Sequence, residues 1–176
     1  WQEAYAVTLL DEIPVAMAHG MFPDFQEELQ PTKSQFWYSN DIRVSVPHSV
    51  RFHVTGTLRP GLSAKDVMLR ILATPFIKDG QGIGKVLEFC GPGVAAMSMD
   101  ERATLTNMAV EAGATTGIIA ADDTTVRWLG QLRPGVGASQ LAGTQLHSDA
   151  DATYFASFEI DLDQLDLMVA TPGDPR

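Results

Sequence analysis

Hydrophobic and polar positions alternate most regularly in the middle of the chain. Over Val50–Leu58, Val50, Phe52, Val54 and Leu58 interleave with Arg51, His53, Thr55 and Thr57, the period of a half-buried strand. Arg59-Pro60-Gly61 makes a turn, and Ser63 to Asp66 forms a capping box with Asp in the acidic slot. The box opens a helix through Val67, Leu69, Ile71 and Leu72 that Pro75 should end. Gly80, Gly82 and Gly84 then read as a turn before a short apolar strand over Lys85–Cys90, broken at Gly91-Pro92-Gly93. Ser98-Met99-Asp100-Glu101 is a full S-x-x-E box, and the spacing predicts a helix over 99–112 stopped by Gly113. A buried strand is expected over Gly117–Ala121, and Asp122 or Asp123 caps a helix through Thr125, Val126, Trp128 and Leu129. A Gly/Pro-rich loop comes next over 130–143, then a strand over 154–160 with Tyr154, Ala156, Phe158 and Ile160 on one side. Strands and helices take turns, so the class is α/β, with a sheet covered by helices.

The first 45 residues have a different texture. Trp1–Ile13 fits a short amphipathic helix with Ala4, Val7 and Leu10 on one face. Pro14, Pro23 and Pro31 punctuate the residues after it, among the aromatic side chains of Phe22, Phe25, Phe36, Trp37 and Tyr38. Such a stretch packs as an irregular arm over a core or a partner. The expected division is an arm over 1–45 and an α/β domain over 46–176.

Composition narrows the function classes. Of 176 residues 45% are hydrophobic and 19% charged, which is a globular balance and excludes a disordered or collagen-like chain. A net charge of −10 argues against nucleic-acid partners and anionic membranes. No apolar run approaches the ~18 residues of a membrane span, and no secretory leader pattern is present. The chain opens on Trp1 rather than Met, as a processed or excised piece would. The compartment expected is the cytoplasm, or the mitochondrial matrix in a eukaryote.

Few residues invite chemistry on spacing alone. The Gly80–Lys85 stretch has the glycines of a phosphate loop, but a helix precedes it and a strand comes after, the reverse of the order that points a helix N-terminus at an anion. His19, His48, His53 and His147 form no H-x-x-x-H or H-E-x-x-H pair, so each reads as a surface or packing residue and no metal site is assigned. The run Asp149, Asp151, Asp161, Asp163 and Asp166 lacks the tight loop of a calcium site and reads as a solvated face. Cys90, the single cysteine, reads as a buried, inert thiol. Asn107 and Glu111 stand four apart on the 99–112 helix and so share a face. From spacing alone that pair is a solvent stripe.

Several ordered segments resemble the second domain of the aconitase superfamily, which includes aconitases, homoaconitases and the large subunit of 3-isopropylmalate dehydratase. They are residues 57–72 (TLRPGLSAKDVMLRIL), 82–94 (GIGKVLEFCGPGV), 98–129 (SMDERATLTNMAVEAGATTG, then IIAADDTTVRWL) and 151–175 (DATYFASFEIDLDQLDLMVATPGDP). The resemblance implies a three-layer α/β/α domain with a mixed sheet. It also gives Asn107 and Glu111 a role, because Asn107-Met108-Ala109-Val110-Glu111-Ala112-Gly113-Ala114 matches the family's N-M-x-x-E-x-G-A motif at every fixed position. There the Asn and Glu point into the active-site cleft and hydrogen-bond the substrate hydroxyl, or the water on the open iron of a 4Fe–4S cluster. Expelling a β-hydroxyl as water calls for a Lewis acid, with a carboxyl and an amide to hold and protonate the departing oxygen.

Other family features are absent from this sequence. The C-T-N and C-G-x-C-type motifs that hold the cluster do not occur, nor does D-S-H-T with its catalytic His and Asp. The serine base, carried on the family's last domain or small subunit, is missing as well. Residues 1–34 do not align with the end of domain one, and 39–46 (SNDIRVSV) resemble an insertion. The resemblance therefore implies one domain of an iron–sulfur hydro-lyase acting on a small hydroxy-di- or tricarboxylic acid, partnered by other domains or a small subunit. The cluster belongs to the complete enzyme and none is held by this chain alone. Two rivals stand beside this reading: a non-catalytic binding or assembly domain, favoured by the aromatic arm, and a cluster-free enzyme with Glu111 as a lone acid–base.

Overall fold

The computed structural model describes residues 46–132 and 146–173. The helix expected over 1–13, the arm around it and most of the 130–143 loop lie outside the described residues. From Pro47 onward the described residues belong to one compact unit. In chain order its elements are β1 (Ser49–Thr55), α1 (Ala64–Leu72), α2 (Pro75–Lys78), β2 (Val86–Cys90), α3 (Pro92–Ala95), α4 (Met99–Asn107), a 3-10 turn (Met108–Ala112), β3 (Thr116–Ile118), α5 (Asp123–Leu132), β4 (Ala156–Asp161) and a second 3-10 turn (Leu162–Gln164).

The strand order is β3-β2-β1-β4, and all the pairings are parallel. The α/β class holds. The mixed sheet does not: each described strand returns through a crossover and enters from the same end, which makes neighbours parallel. Alternation along β1 sorts the two faces as the sequence predicts. Phe89, Phe52 and Phe158 share one register row and stack at 5.9 and 5.3 Å between ring centroids. Val50, Val54, Leu87 and Ile160 continue this buried face, against which Val67, Met68, Ile71 and Leu72 of α1 and Leu105 of α4 complete the core. Phe76 of α2 packs on Phe158 at 4.9 Å.

The opposite face is polar. Its rows are Glu88–Arg51–Ser157 and Cys90–His53–Glu159. Arg51 donates to the Ser157 hydroxyl at 3.0 Å and lies 4.9 Å from the Tyr154 ring centre. His53 Nδ1 meets Glu159 at 2.7 Å. The buried Glu88 carboxylate accepts from the hydroxyls of Ser148 (2.7 Å) and Tyr154 (3.0 Å). Residues 148–154 thus bind this face without forming a helix. Tyr154 precedes β4 and turns to Glu88, on the other side from Ala156, Phe158 and Ile160.

Element ends obey local chemistry, with a few corrections. β1 stops at Thr55 because Gly56 takes φ +72°, with Asp161 and Asp163 carboxylate atoms 2.9 Å from where a Cβ would sit. Pro75 starts a helix rather than merely ending one, occupying the first turn of α2, where its missing N–H costs nothing. Pro92 does the same for α3. The strand expected over 117–121 runs over 116–118, and the residues from Gly130 to Leu132 belong to α5.

At α1, the Asp66 carboxylate accepts from the Ser63 N–H and hydroxyl and from Met168 N–H. Burial works to raise its pKa, but these hydrogen bonds prevail and hold it below the usual carboxylate value. At α4 the box is reciprocal: Ser98 N–H donates to Glu101 at 2.8 Å, and Glu101 N–H donates to the Ser98 hydroxyl at 3.3 Å. Glu101→Gln retains a hydrogen-bonding side chain there, so it should cost about 1 kcal/mol or less in denaturant unfolding. A loss of several kcal/mol would show that this cap does more than close a helix.

Candidate active-site surface

Asn107 and Glu111 sit where α4 changes its winding. α4 ends at Asn107 and the chain continues as a 3-10 turn over Met108–Ala112, so the single α-helix expected over 99–112 is corrected. The cause is local crowding. Thr104 donates its hydroxyl to the Asp100 carbonyl, and Thr106 donates to those of Arg102 and Ala103, back-bonds that bend a helix. Gly117 of β3 meanwhile lies against Thr106 and Ala109, leaving its would-be Cβ 2.8 Å from the Thr106 Cα. Ala109 and Ala112 point into the core.

This winding changes the geometry of the pair. Positions four apart differ by about 40° around an α-helix axis but by about 120° around a 3-10 axis. Asn107 and Glu111 therefore do not stack on one helix face. Both are exposed. Neither makes a hydrogen bond or ion pair among the described residues. An amide and a carboxyl with no structural task are thus held on a short, firmly seated turn.

The seat itself is well defined. Gly113 ends the turn in the left-handed conformation, φ 75°, which disfavours any residue with a Cβ. Its N–H donates to the Val110 carbonyl at 2.8 Å, and Ala114 N–H donates to that of Ala109 at 3.2 Å. The start of α4 is tied down just as firmly. Arg102, 3% exposed, grips Asp122 with two hydrogen bonds of 2.7 and 2.8 Å and donates to the carbonyls of Ala95 and Met97. Asp122 also accepts from the N–H groups of Thr124 and Thr125 at the start of α5. Chiefly through the Arg102 hydrogen bonds, its pKa falls to about 2. An Arg inside a predicted helix and an Asp at the next cap are both visible in the sequence; their pairing is not.

The remaining sequence candidates add no reactive group to this surface. Gly80–Gly84 is a turn between α2 and β2. His48 packs near Phe155 at 6.1 Å, and His53 pairs with Glu159. His19 lies outside the described residues. Asp161 and Asp163 serve a turn, the Asp163 N–H donating to Asp161 at 3.0 Å, while Asp149, Asp151 and Asp166 are exposed. Cys90 is half-buried, and burial together with the Glu88 charge pushes its thiol pKa up, as befits an inert thiol. Among the described residues no group of three or more His, Cys, Asp or Glu side chains could hold a metal ion. No helix among them is long and apolar enough to cross a membrane.

Comparison with known proteins places this fold and motif. The model of the aconitase family (aconitate hydratase) matches residues 33–176. The large subunit of 2,3-dimethylmalate dehydratase from Eubacterium barkeri is 42% identical over 131 residues, covering 74% of this chain and 29% of that protein. The 3-isopropylmalate dehydratase large subunit of Anaeromyxobacter dehalogenans is 42% identical over 134 residues, covering 73% and 28%. Large subunit 2 of the same enzyme from Rubrobacter xylanophilus is 38% identical over 144 residues, covering 80% and 30%. The chain thus spans less than a third of the length of these curated relatives. With the family model matched along most of its length, and the N-M-x-x-E-x-G-A residues seated on a braced surface turn, the chain belongs to the aconitase family.

Proposed function

We propose that this chain is the part of an aconitase-type hydro-lyase that supplies Asn107 and Glu111 to the reacting centre. The observation that carries the reading is the pair itself: an amide and a carboxyl with no hydrogen-bond partner among the described residues, exposed on one turn at the fixed positions of the family motif. The reaction is the reversible dehydration of a hydroxy-di- or tricarboxylic acid to an enoic acid. In the dehydration direction the α-proton leaves to a base outside this chain, its C–H electrons form the C=C bond, and the β C–O bond breaks. The Glu111 carboxyl hands a proton to the departing oxygen, which leaves as water. The Asn107 amide donates a hydrogen bond that orients the same oxygen. Hydration runs the same steps backward.

Family membership implies a 4Fe–4S cluster in the complete enzyme. One half-buried thiol with a raised pKa does not fit the thiolate ligation of such a cluster, so its ligands are assigned to other parts of the enzyme. The same holds for the opposite wall of the cleft and for the base, which come from other domains or a small subunit of the enzyme. The substrate is a small hydroxy acid, and the compartment is the cytoplasm or a mitochondrial matrix; neither nucleic acid nor membrane takes part.

Two experiments test this reading. The complete enzyme, prepared without oxygen and supplied with iron and sulfide, is offered 2,3-dimethylmalate, 3-isopropylmalate and citrate while the ultraviolet absorbance of the enoate is monitored. Turnover of any one supports the hydro-lyase; silence on all three leaves the domain as a binding or assembly module. The 176-residue chain alone, treated in the same way, should stay colourless with far less than stoichiometric iron. A brown protein absorbing near ~400 nm, where thiolate–iron charge transfer is expected, would overturn the assignment of the ligands elsewhere.

A further inference from the structure

The Gly80–Gly84 turn has no part in the dehydration chemistry, yet it is wedged against the segment that carries Glu111. Gly84 N–H donates to the Gly113 carbonyl at 3.0 Å, and the next strand start repeats the tie, Thr115 N–H donating to the Lys85 carbonyl at 2.8 Å. The Ile83 side chain lies 2.9 Å from where a Cβ on Gly113 would sit. A Cβ on Gly82 would lie 2.8 Å from the buried Ile77 side chain and 3.0 Å from the Ala112 carbonyl oxygen, one residue beyond Glu111. Ile83 is nonetheless 62% exposed, so solvation does not explain its place. Its inner contact is the left-handed residue that ends the Glu111 turn.

We infer that the Gly82-Ile83-Gly84 loop is a brace that fixes the direction of Glu111, with Ile83 and Gly82 as positioning residues for the proton transfer. The inference rests on the proposal that Glu111 is the proton donor. Glu111 is the fourth residue of its five-residue 3-10 turn, with Ala112 and Gly113 on its far side. A 3-10 turn has poorer hydrogen-bond geometry than an α-helix, so its end is set by what it leans on. Ile83 supplies the apolar contact, Gly84 the hydrogen bond, and Gly82 the close approach that a side chain would forbid. A displacement of a few tenths of an ångström there is carried directly to the carboxyl, and proton transfer is sensitive to such errors.

Ile83→Ala removes the contact, and Gly82→Ala pushes the Ala112 carbonyl and the end of the Ile77 side chain. In the complete enzyme each should lower kcat about tenfold while KM stays within about twofold, because aim is lost and substrate binding is not. Gly130→Ala, whose new Cβ meets nothing within 4 Å, is the control and should leave both constants unchanged. The deciding measurement is the double variant. On a Glu111→Gln background Ile83→Ala should bring almost no further loss, since there is no longer a proton to aim, whereas a purely structural role would add its full effect. A damaging Glu111→Gln beside silent Ile83→Ala and Gly82→Ala, or fully additive losses, would overturn the brace alone. A silent Glu111→Gln would overturn the proton-donor reading and the brace with it.

Discussion

Glu111→Gln in the complete enzyme is expected to lower kcat by about two to four powers of ten, the range for losing a positioned acid or base. The substitution keeps the size and shape of the side chain and removes only the proton it can hand over. Fold stability should shift by no more than about 0.5 kcal/mol, as for a surface position away from caps and cores, because Glu111 is exposed and bonds to nothing among the described residues. That separation is diagnostic: a large kinetic loss with an unchanged melting curve has no structural explanation. Asn107→Ala should cost less and should affect KM as well as kcat, since an amide orients the departing oxygen without protonating it. Turnover within twofold of the parent for Glu111→Gln would remove the carboxyl from the dehydration.

The largest loss of stability is expected at Arg102. Arg102→Ala withdraws a buried guanidinium from the Asp122 carboxylate and from the carbonyls of Ala95 and Met97 together. Arg102 is buried, but the Asp122 side chain is 32% exposed and water can reach it once the guanidinium is gone, so the loss should be about 2–3 kcal/mol, mostly from the carbonyls left without a donor. The denaturant midpoint should move accordingly, and a change below about 1 kcal/mol would contradict the burial of this clasp. The pair also sets an acid limit. The Asp122 pKa is about 2 in the fold against 3.8 for a free side chain, so the unfolded chain binds this proton first. The stability it contributes is therefore complete above the unfolded value and is lost as pH falls from about 4 toward 2. In Arg102→Ala that part of the acid dependence should flatten, which pH-resolved unfolding of parent and variant would reveal.

The domain's elements are legible in the sequence wherever a few neighbouring residues settle the matter. Ser63 with Asp66 and Ser98 with Glu101 announce two helix starts, because a cap is satisfied within one turn of chain. Alternation of Val50, Phe52 and Val54 with Arg51 and His53 foretells both faces of β1, because a strand's period is two. The motif from Asn107 to Ala114 names the candidate pair without any coordinates. Its geometry lies beyond reach: whether Thr104, Thr106 and Gly117 tighten the helix end depends on β3 arriving beside it. Pro75 and Pro92 show the same limit on a smaller scale, since a proline that ends one helix is equally suited to begin another.

What the sequence by itself determined is the α/β class, the caps and the two-faced central strand; it also singles out Asn107 and Glu111 as the candidate pair. All of these are written in residues no more than a few positions apart, where backbone hydrogen bonding and side-chain alternation act directly. Only the tertiary structure decided the wholly parallel order β3-β2-β1-β4, the Arg102–Asp122 clasp across twenty residues, the seat of residues 148–154 on the polar face, and the glycine loop pressed against the Glu111 turn. Each of these joins groups distant in sequence. Such contacts are chosen by which burial and which hydrogen bonds can be satisfied together in one packed unit, a competition that no local pattern in the chain can express.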